Sequence, residues 1–267
     1  MTPMTGYIEL SYLDLAIAAL LVVLNAGLSL AFGLGLERRM LLAALRMAAQ
    51  LLLVGFVLQA LFDTVSLWLT ALVALIMALF AGREILARQE RRLAGWWGYG
   101  IGASTMLLAG MVVTLLALSG PLRPDPWFDP RYAIPLFGMI LGNAMIGISL
   151  GLDSLTTMVG RERAGIEAQL LLGASRWQAM RTVAQRALRT GFTPMLNSMA
   201  AAGVVFLPGM MTGQILAGVA PEQAVKYQIL LLFLIAGATG LGVLSAVMIS
   251  VWRLTDDRHR LRLDRLR

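Results

Sequence analysis

IPLFGMILGNAMIGISLGL, Ile134–Leu152, runs for nineteen residues without a single charge. A helix needs about 20 predominantly apolar residues to cross the hydrocarbon core of a bilayer, so this stretch predicts a membrane span. Six further stretches read the same way: Leu13–Leu36, Met40–Leu61, Val65–Ala81, Trp96–Leu118, Met195–Gly218 and Gln228–Trp252. The whole chain agrees. Of its 267 residues, 58% are hydrophobic and 14% charged, against about 25% charged in ordinary soluble domains. A soluble globular protein is excluded. The expected fold is an all-α polytopic membrane protein of seven spans, forming one transmembrane domain over residues 1–267, because no polar segment is long enough for a second domain. The amino end, MTPMTGYIEL, has no basic n-region, so the first stretch is expected to be a permanent span rather than a cleaved signal peptide.

Arginines give the orientation. Eighteen of the 22 basic residues fall in segments that an odd number of spans places on one side: Arg38 and Arg39, the Arg83–Arg92 group, the Arg161–Arg189 group, and the tail from Arg253. Basic residues are retained on the cytoplasmic side, so the amino end is expected outside and the carboxyl end inside. The net charge of +7 sits beside spans rather than on one soluble face, which argues for anionic lipid and against nucleic acid. The basic tail 253–267 reads either as a short surface helix or as a solvated segment. Ser119–Arg131, with four prolines, reads as a stiff external loop.

Several chemistries are excluded. The chain has no cysteine and one histidine, His259, so thiolate and multi-histidine metal sites are absent. Its single lysine, Lys226, follows Val225, so no Walker A phosphate loop exists and no ATP is bound by this chain. Gly147, Ser149 and Gly151 spell G-x-S-x-G, but they lie inside a span and far from any histidine base. No catalytic residues are assigned, and the chain is read as a non-enzyme.

The longest polar segment, 153–194, is patterned. Gly160 is expected to interrupt the helix leaving the membrane. RERAGIEAQLLL, Arg161–Leu172, is a good helix former, and Gly173 is a natural left-handed stop. Ser175 followed by Gln178 has capping-box spacing and starts a second helix, Arg176–Thr190, expected to close at Gly191 and Pro194. Helix, glycine turn and helix make a bent pair that can present a knob to a soluble partner.

EAQLLLGASRW, from Glu167 to Trp177, resembles the E-A-A-x-x-x-G loop of ABC transporter permeases, with Gln169 in place of the second alanine and Val183–Arg186 in place of I-x-L-P. PLFGMILGNAMIGISLGLD (Pro135–Asp153), NSMAAAGVVFLPGMMTGQILAG (Asn197–Gly218) and VKYQ (Val225–Gln228) look like the FetB family of permeases, which are implicated in iron export. The likeness covers about Leu13–Trp252. It implies a coupling helix seated on a separate FetA-like ABC ATPase that carries ATP and magnesium. Glu162, Ile166, Glu167, Ala168, Leu172, Gly173, Ala174, Ser175 and Arg176 are the implied coupling residues. It also implies a permease homodimer, two permeases with two ATPases, since a half with one such loop needs a second copy. Pairs at G-x-x-x-G spacing, such as Gly147 with Gly151 and Gly209 with Gly213, allow close helix approach for that purpose.

Polar groups inside spans are costly unless they face a bundle interior or a water-filled path. The candidates are Arg46 with Gln50 one turn on, Asn143, Ser149, Asn197 and Ser198, then Pro208, Thr212 and Gln214. Pro208 removes a donor near the middle of the sixth stretch, so a kink or unwound segment is expected, of the kind that lines binding sites. Met199, Met210 and Met211 offer soft thioethers, although methionine in an apolar chain is mostly packing. A metal site is left unassigned: no carboxylate after Asp14 and no histidine lies in a span, whereas iron(II) prefers those ligands. Two rival readings stand beside the permease. A secondary transporter or channel would need no docking loop but typically uses intramembrane acids; a regulatory membrane subunit would dock without moving substrate.

Overall fold

A computed structural model describes residues 11–256, 258 and 260–266, among which every regular element is a helix and extended pairing is limited to isolated bridges. Six of these helices are long and apolar enough to cross a membrane. The chain divides into two compact units, Met1–Val65 and Ser66–Arg267. The first contains α1 (Tyr12–Ala31), opened by a reciprocal capping box between Ser11 and Asp14, and α2 (Glu37–Thr64). Their connection is tied by Ser29, whose hydroxyl accepts from the Leu36 N–H and donates to Glu37, both at 3.0 Å. Val65, expected to open the third span, instead ends α2 with φ 32°.

The second unit packs around one long helix. α3 (Leu67–Ala87) and α4 (Trp96–Ala117) precede α5 (Pro130–Arg161), which at 32 residues outruns the expected Ile134–Leu152 at both ends. α6 (Arg163–Leu171), α7 (Arg176–Ala201), α8 (Gly209–Leu216) and α9 (Pro221–Leu254) follow. Where α5, α7 and α9 meet, Gly147 and Gly191 face each other so closely that a Cβ on Gly191 would lie 2.9 Å from the Gly147 carbonyl and 2.6 Å from Val243. Gly98 and Gly102 bring α4 against Leu86 and Ile85 of α3 in the same way, whereas Gly209 and Gly213 meet nothing within 4 Å. Several of the G-x-x-x-G pairs therefore pack helices within the chain.

Three sequence expectations change here. α5 runs through Gly160 to Arg161, with the Arg91 guanidinium lying over the space where a side chain would be. α7 does not close at Gly191 and Pro194; it continues to Ala201, because Val183, Ala187 and Gly191 keep its inner face buried and a proline's φ is itself helical. The sixth stretch is not one helix. It is the end of α7, an irregular segment at 202–208, and the eight-residue α8.

The Ser119–Arg131 segment begins with a π turn, Leu118–Leu122, that contains Pro121. At the far end the tail is neither a free helix nor a solvated run. It folds back as a strap: the Arg262 N–H donates to the Leu254 carbonyl and the Ala94 N–H to the Arg265 carbonyl, both at 2.8 Å. Leu261, Leu263 and Leu266 pack against the core, so their apolar area is buried on the protein itself. Hydrogen bonds from the Arg262 guanidinium hold the Asp264 carboxyl down at about 2. His259, the only histidine, and the last residue, Arg267, lie outside the described residues.

Candidate docking hairpin and helix break

The α6–α7 hairpin is built by local rules. α6 ends at Leu171, and Gly173 carries the reversal at φ 91°, a conformation that costs a non-glycine residue roughly 1–2 kcal/mol. Ser175 then caps α7: its hydroxyl accepts from the Gln178 N–H, and the Gln178 side chain accepts from the Ser175 N–H at 2.8 Å. Two ion pairs brace the hairpin. Glu162 accepts from Arg186 across the pair, and Glu167 accepts from Arg163 one turn back, each at 2.9 Å. Ile166, 2% exposed, anchors α6 in the main core.

The tip faces outward. Leu171 and Leu172 are each 88% exposed, Ala168 and Gly173 are exposed, and Trp177 shows nearly half its surface on the first turn of α7. Ala174, Ser175 and Arg176 are half-buried. Among the residues assigned to coupling, then, Ala168, Leu172 and Gly173 form the accessible surface, while Ile166 serves the interior and Glu162 and Glu167 are engaged with arginines of the same hairpin. Leu171, not singled out from sequence, is as exposed as Leu172; the signal for it was only that RAGIEAQLL carries more leucine than one buried face requires.

The second feature is the break after α7. The Ala201 carbonyl accepts from the Val205 N–H at 2.9 Å, and Gly203, at φ 83°, donates to the Phe206 carbonyl at 2.9 Å. Pro208 then occupies the N-cap position of α8. Met199, Pro208 and Met211 line one side of a cavity of about 520 Å³ between the break and α9, and Gln228 lines the other. The Gln228 Oε1 is buried without a hydrogen-bond partner, as is the Gln214 Oε1. Sequence reasoning missed Gln228, which stood out only as the last amide before the apolar run of α9.

The polar candidates named from sequence fall in different places. Thr212 donates both its N–H and its hydroxyl to the Pro208 carbonyl, at 3.1 and 3.2 Å, which occupies that pair with each other. Met210 packs into a core cluster. Asn143 donates to the Met139 carbonyl of its own helix, and Ser149 is buried. Asn197 lies instead in an open groove with Arg189, Thr193 and Leu150, beside half-buried Ser198. Arg46 and Gln50 belong to α2 in the first unit. Among the described residues no three His, Cys, Asp or Glu side chains are grouped to hold a metal.

Comparison with known proteins follows the same outline. Residues 12–254 match the uncharacterised protein family UPF0014. The UPF0014 membrane protein slr1647 of Synechocystis is 36% identical over 95% of this chain and 96% of its own. YjkA of Bacillus subtilis, also a UPF0014 membrane protein, is 34% identical over 84% of this chain and 87% of its own. The probable iron export permease protein FetB of Escherichia coli is 32% identical over 95% of this chain and 96% of its own. No solved structure matches.

Proposed function

We propose that this chain, which belongs to the uncharacterised protein family UPF0014, is the membrane subunit of an ATP-driven exporter whose ATPase is a separate chain. The observation that carries the reading is the hairpin tip. Two leucines and a tryptophan stand exposed on a turn that is capped, ion-paired and anchored, and large exposed apolar patches on a rigid support mark interaction sites. A chain without a phosphate loop needs such a surface to draw on ATP hydrolysis. The partner is a FetA-like ABC ATPase, with two permeases and two ATPases in the complex, in a bacterial inner membrane with the amino end outside.

The mechanism follows α7. It runs unbroken for 26 residues, about 39 Å, from the docking turn to the break, so a displacement of the tip is delivered to residues 202–208 as a rigid-body shift. There the chain gives way, because the helical ladder stops, with three N–H groups converging on the Ala201 carbonyl, and the segment borders a cavity. Opening that cavity alternately to each side moves the cargo. The name of the Escherichia coli relative supports iron as that cargo. With no ligand cluster among the described residues to strip it, iron crosses hydrated or complexed, touching Gln228 and the Met199 and Met211 thioethers.

The test is reconstitution of the chain with a FetA-like ATPase in vesicles. A Leu171→Asp, Leu172→Asp double variant should remain folded and inserted, because both side chains are exposed, yet lose ATPase retention and stimulation. Normal stimulation in that variant would overturn the docking assignment.

A further inference from the structure

α3 and α4 are packed tightly at one end and leave a gap at the other. A Cβ on Gly82 of α3 would lie 2.6 Å from the Ala103 side chain, and one on Gly102 of α4 would lie 2.8 Å from Ile85. Toward Leu67, where α3 begins, and Leu118, just past the end of α4, the two helices and the first turns of α5 enclose a cavity of about 270 Å³. The bundle is not loose around it. α4 and α5 meet closely beside the cavity, since a Cβ on Gly110 would lie 3.2 Å from Leu141 and 3.3 Å from Phe137. The space is a wedge between helices in firm contact, and it lies at the opposite end of the 32-residue α5 from the α6–α7 hairpin.

Apart from Thr70 and Thr114, every lining side chain is aliphatic, thioether or aromatic. Thr70 gives its hydroxyl to the Ser66 carbonyl at 2.9 Å, whereas the Thr114 hydroxyl oxygen is buried without a partner. One free hydroxyl does not hold water, which takes about two to four polar partners when buried; apolar cavities stay dry. Hydrocarbon is the remaining solvent, and α3, α4 and α5 are all apolar and long enough to cross a membrane. A dry cavity of about 150 Å³ accepts benzene, so 270 Å³ has room for about ten carbons. The lining is elongated: it runs from Leu67 to Leu75 on α3 and from Leu107 to Leu118 on α4, about 12 and 16 Å at the helical rise. Aromatic rings border it at the loop. Trp127 and Phe128 meet edge to face with centroids 5.8 Å apart, and Asp129 behind them donates its N–H to the Pro126 carbonyl at 2.9 Å while its carboxylate accepts from the Arg131 N–H at 2.9 Å. Tryptophan collects at the membrane–water boundary, the level at which a lipid's headgroup sits.

We infer that this wedge binds one acyl chain of a membrane phospholipid, with the ester carbonyl of that chain accepting from the Thr114 hydroxyl. The chain supplies the dispersion contacts that the parted helices do not give each other, and so braces the start of α3 and the loop at Trp127 against α5. The ester supplies the one polar partner the lining lacks. This site shares no residue with the hairpin or the cavity at the break, and it is independent of what docks or passes there.

The experiment places the full chain in phosphatidylcholine vesicles that include a phosphatidylcholine with a diazirine in one acyl chain, and reads the labelled residues by mass spectrometry after illumination. Met111 and Leu115, in the lining, should take several times more label than Leu108 and Val112, which are exposed on α4 outside it. Ala71→Phe fills the wedge from an exposed position, so the fold tolerates it. It should cut the label at Met111 and Leu115 about fivefold, while Leu72→Phe, one residue away and outside the lining, stays within about twofold. Thr114→Val keeps the shape and removes the hydroxyl. Loss of one neutral hydrogen bond corresponds to about a fivefold change, so phospholipid retained by the delipidated protein in native mass spectrometry should fall about fivefold, whereas an ether-linked phosphatidylcholine, which has no carbonyl, should bind both chains equally. Equal labelling inside and outside the wedge, or full labelling of Ala71→Phe, overturns the site. An unlabelled wedge overturns it too and gives the gap to protein, either residues 1–65 or a second copy. Unchanged retention by Thr114→Val overturns the ester contact and, with it, the assignment of an acyl chain over plain hydrocarbon.

Discussion

α7 lies between two interruptions that share a device and differ in outcome. Both use a left-handed glycine, Gly173 at φ 91° and Gly203 at φ 83°. At the first, the polar groups are paired within the hairpin: Ser175 and Gln178 close a capping box, and Glu162 and Glu167 hold arginines. At the second, Gln228 keeps a buried carbonyl without a partner beside a cavity of about 520 Å³, and Gln214 of α8 keeps another. A turn that satisfies itself is rigid and offers only its surface. A break that leaves polar atoms unpaired is held less firmly, and a passing ligand can complete it. The difference suits one end to docking and the other to opening.

Breaking the link between the two should have the largest effect. Gly191→Leu would force a side chain into the Gly147 carbonyl and Val243, and overpacking of this kind costs about 3 kcal/mol or more where backbone must move. We expect loss of monodisperse protein on size-exclusion chromatography; a normal elution profile would mean that α5, α7 and α9 do not meet as described. Gly173→Val comes next. Nothing crowds that position, so the cost is the backbone strain alone, roughly 1–2 kcal/mol, confined to the tip. Retained ATPase should drop about tenfold while membrane insertion, read by cysteine labelling, is unchanged.

Ser175→Ala removes one half of the capping box and should lower stability by about 1 kcal/mol, seen as a small fall in Tm with docking weakened but present. The smallest stability effect is expected at the other interruption. Gln228→Leu deletes a buried carbonyl that has no partner, which costs the fold nothing and slightly stabilises it, yet transport in vesicles should fall. Transport at the normal rate would remove Gln228 from the path and leave the groove at Arg189, Thr193 and Asn197 as the alternative.

The two interruptions were not equally legible. The hairpin could be read because its signals are local: Gly173, then Ser175 and Gln178 three apart, then a polar helix. Its far boundary was misplaced, since Gly191 and Pro194 look like stops to any local rule and are overruled by burial against α5 and α9. Pro208 announced a break, but not that the irregular segment would begin six residues earlier at Ala202, where the C-terminal turn of α7 closes onto Gly203. The strap was hidden for the same reason as Gln228. Arginine-rich sequence with scattered leucines suits a lipid surface, water or a protein groove equally well, and only the position of Leu93 and Ala94 in space chooses among them.

From its own residues, the sequence determined a helical, multi-span membrane protein without a phosphate loop or a cysteine, with a capped hairpin in its longest polar segment. Each of these depends on composition or on neighbours within a few positions along the chain, where helical hydrogen bonds and burial in lipid act. Tertiary structure alone decided that α7 continues through a glycine and a proline, that Ile166 turns inward while Leu171 and Leu172 stay out, that Gln228 faces the break, and that α3 and α4 leave an apolar wedge beside Trp127. Those outcomes rest on contacts between residues up to about a hundred positions apart, and the close packing of interiors makes them matters of shape that no local pattern carries.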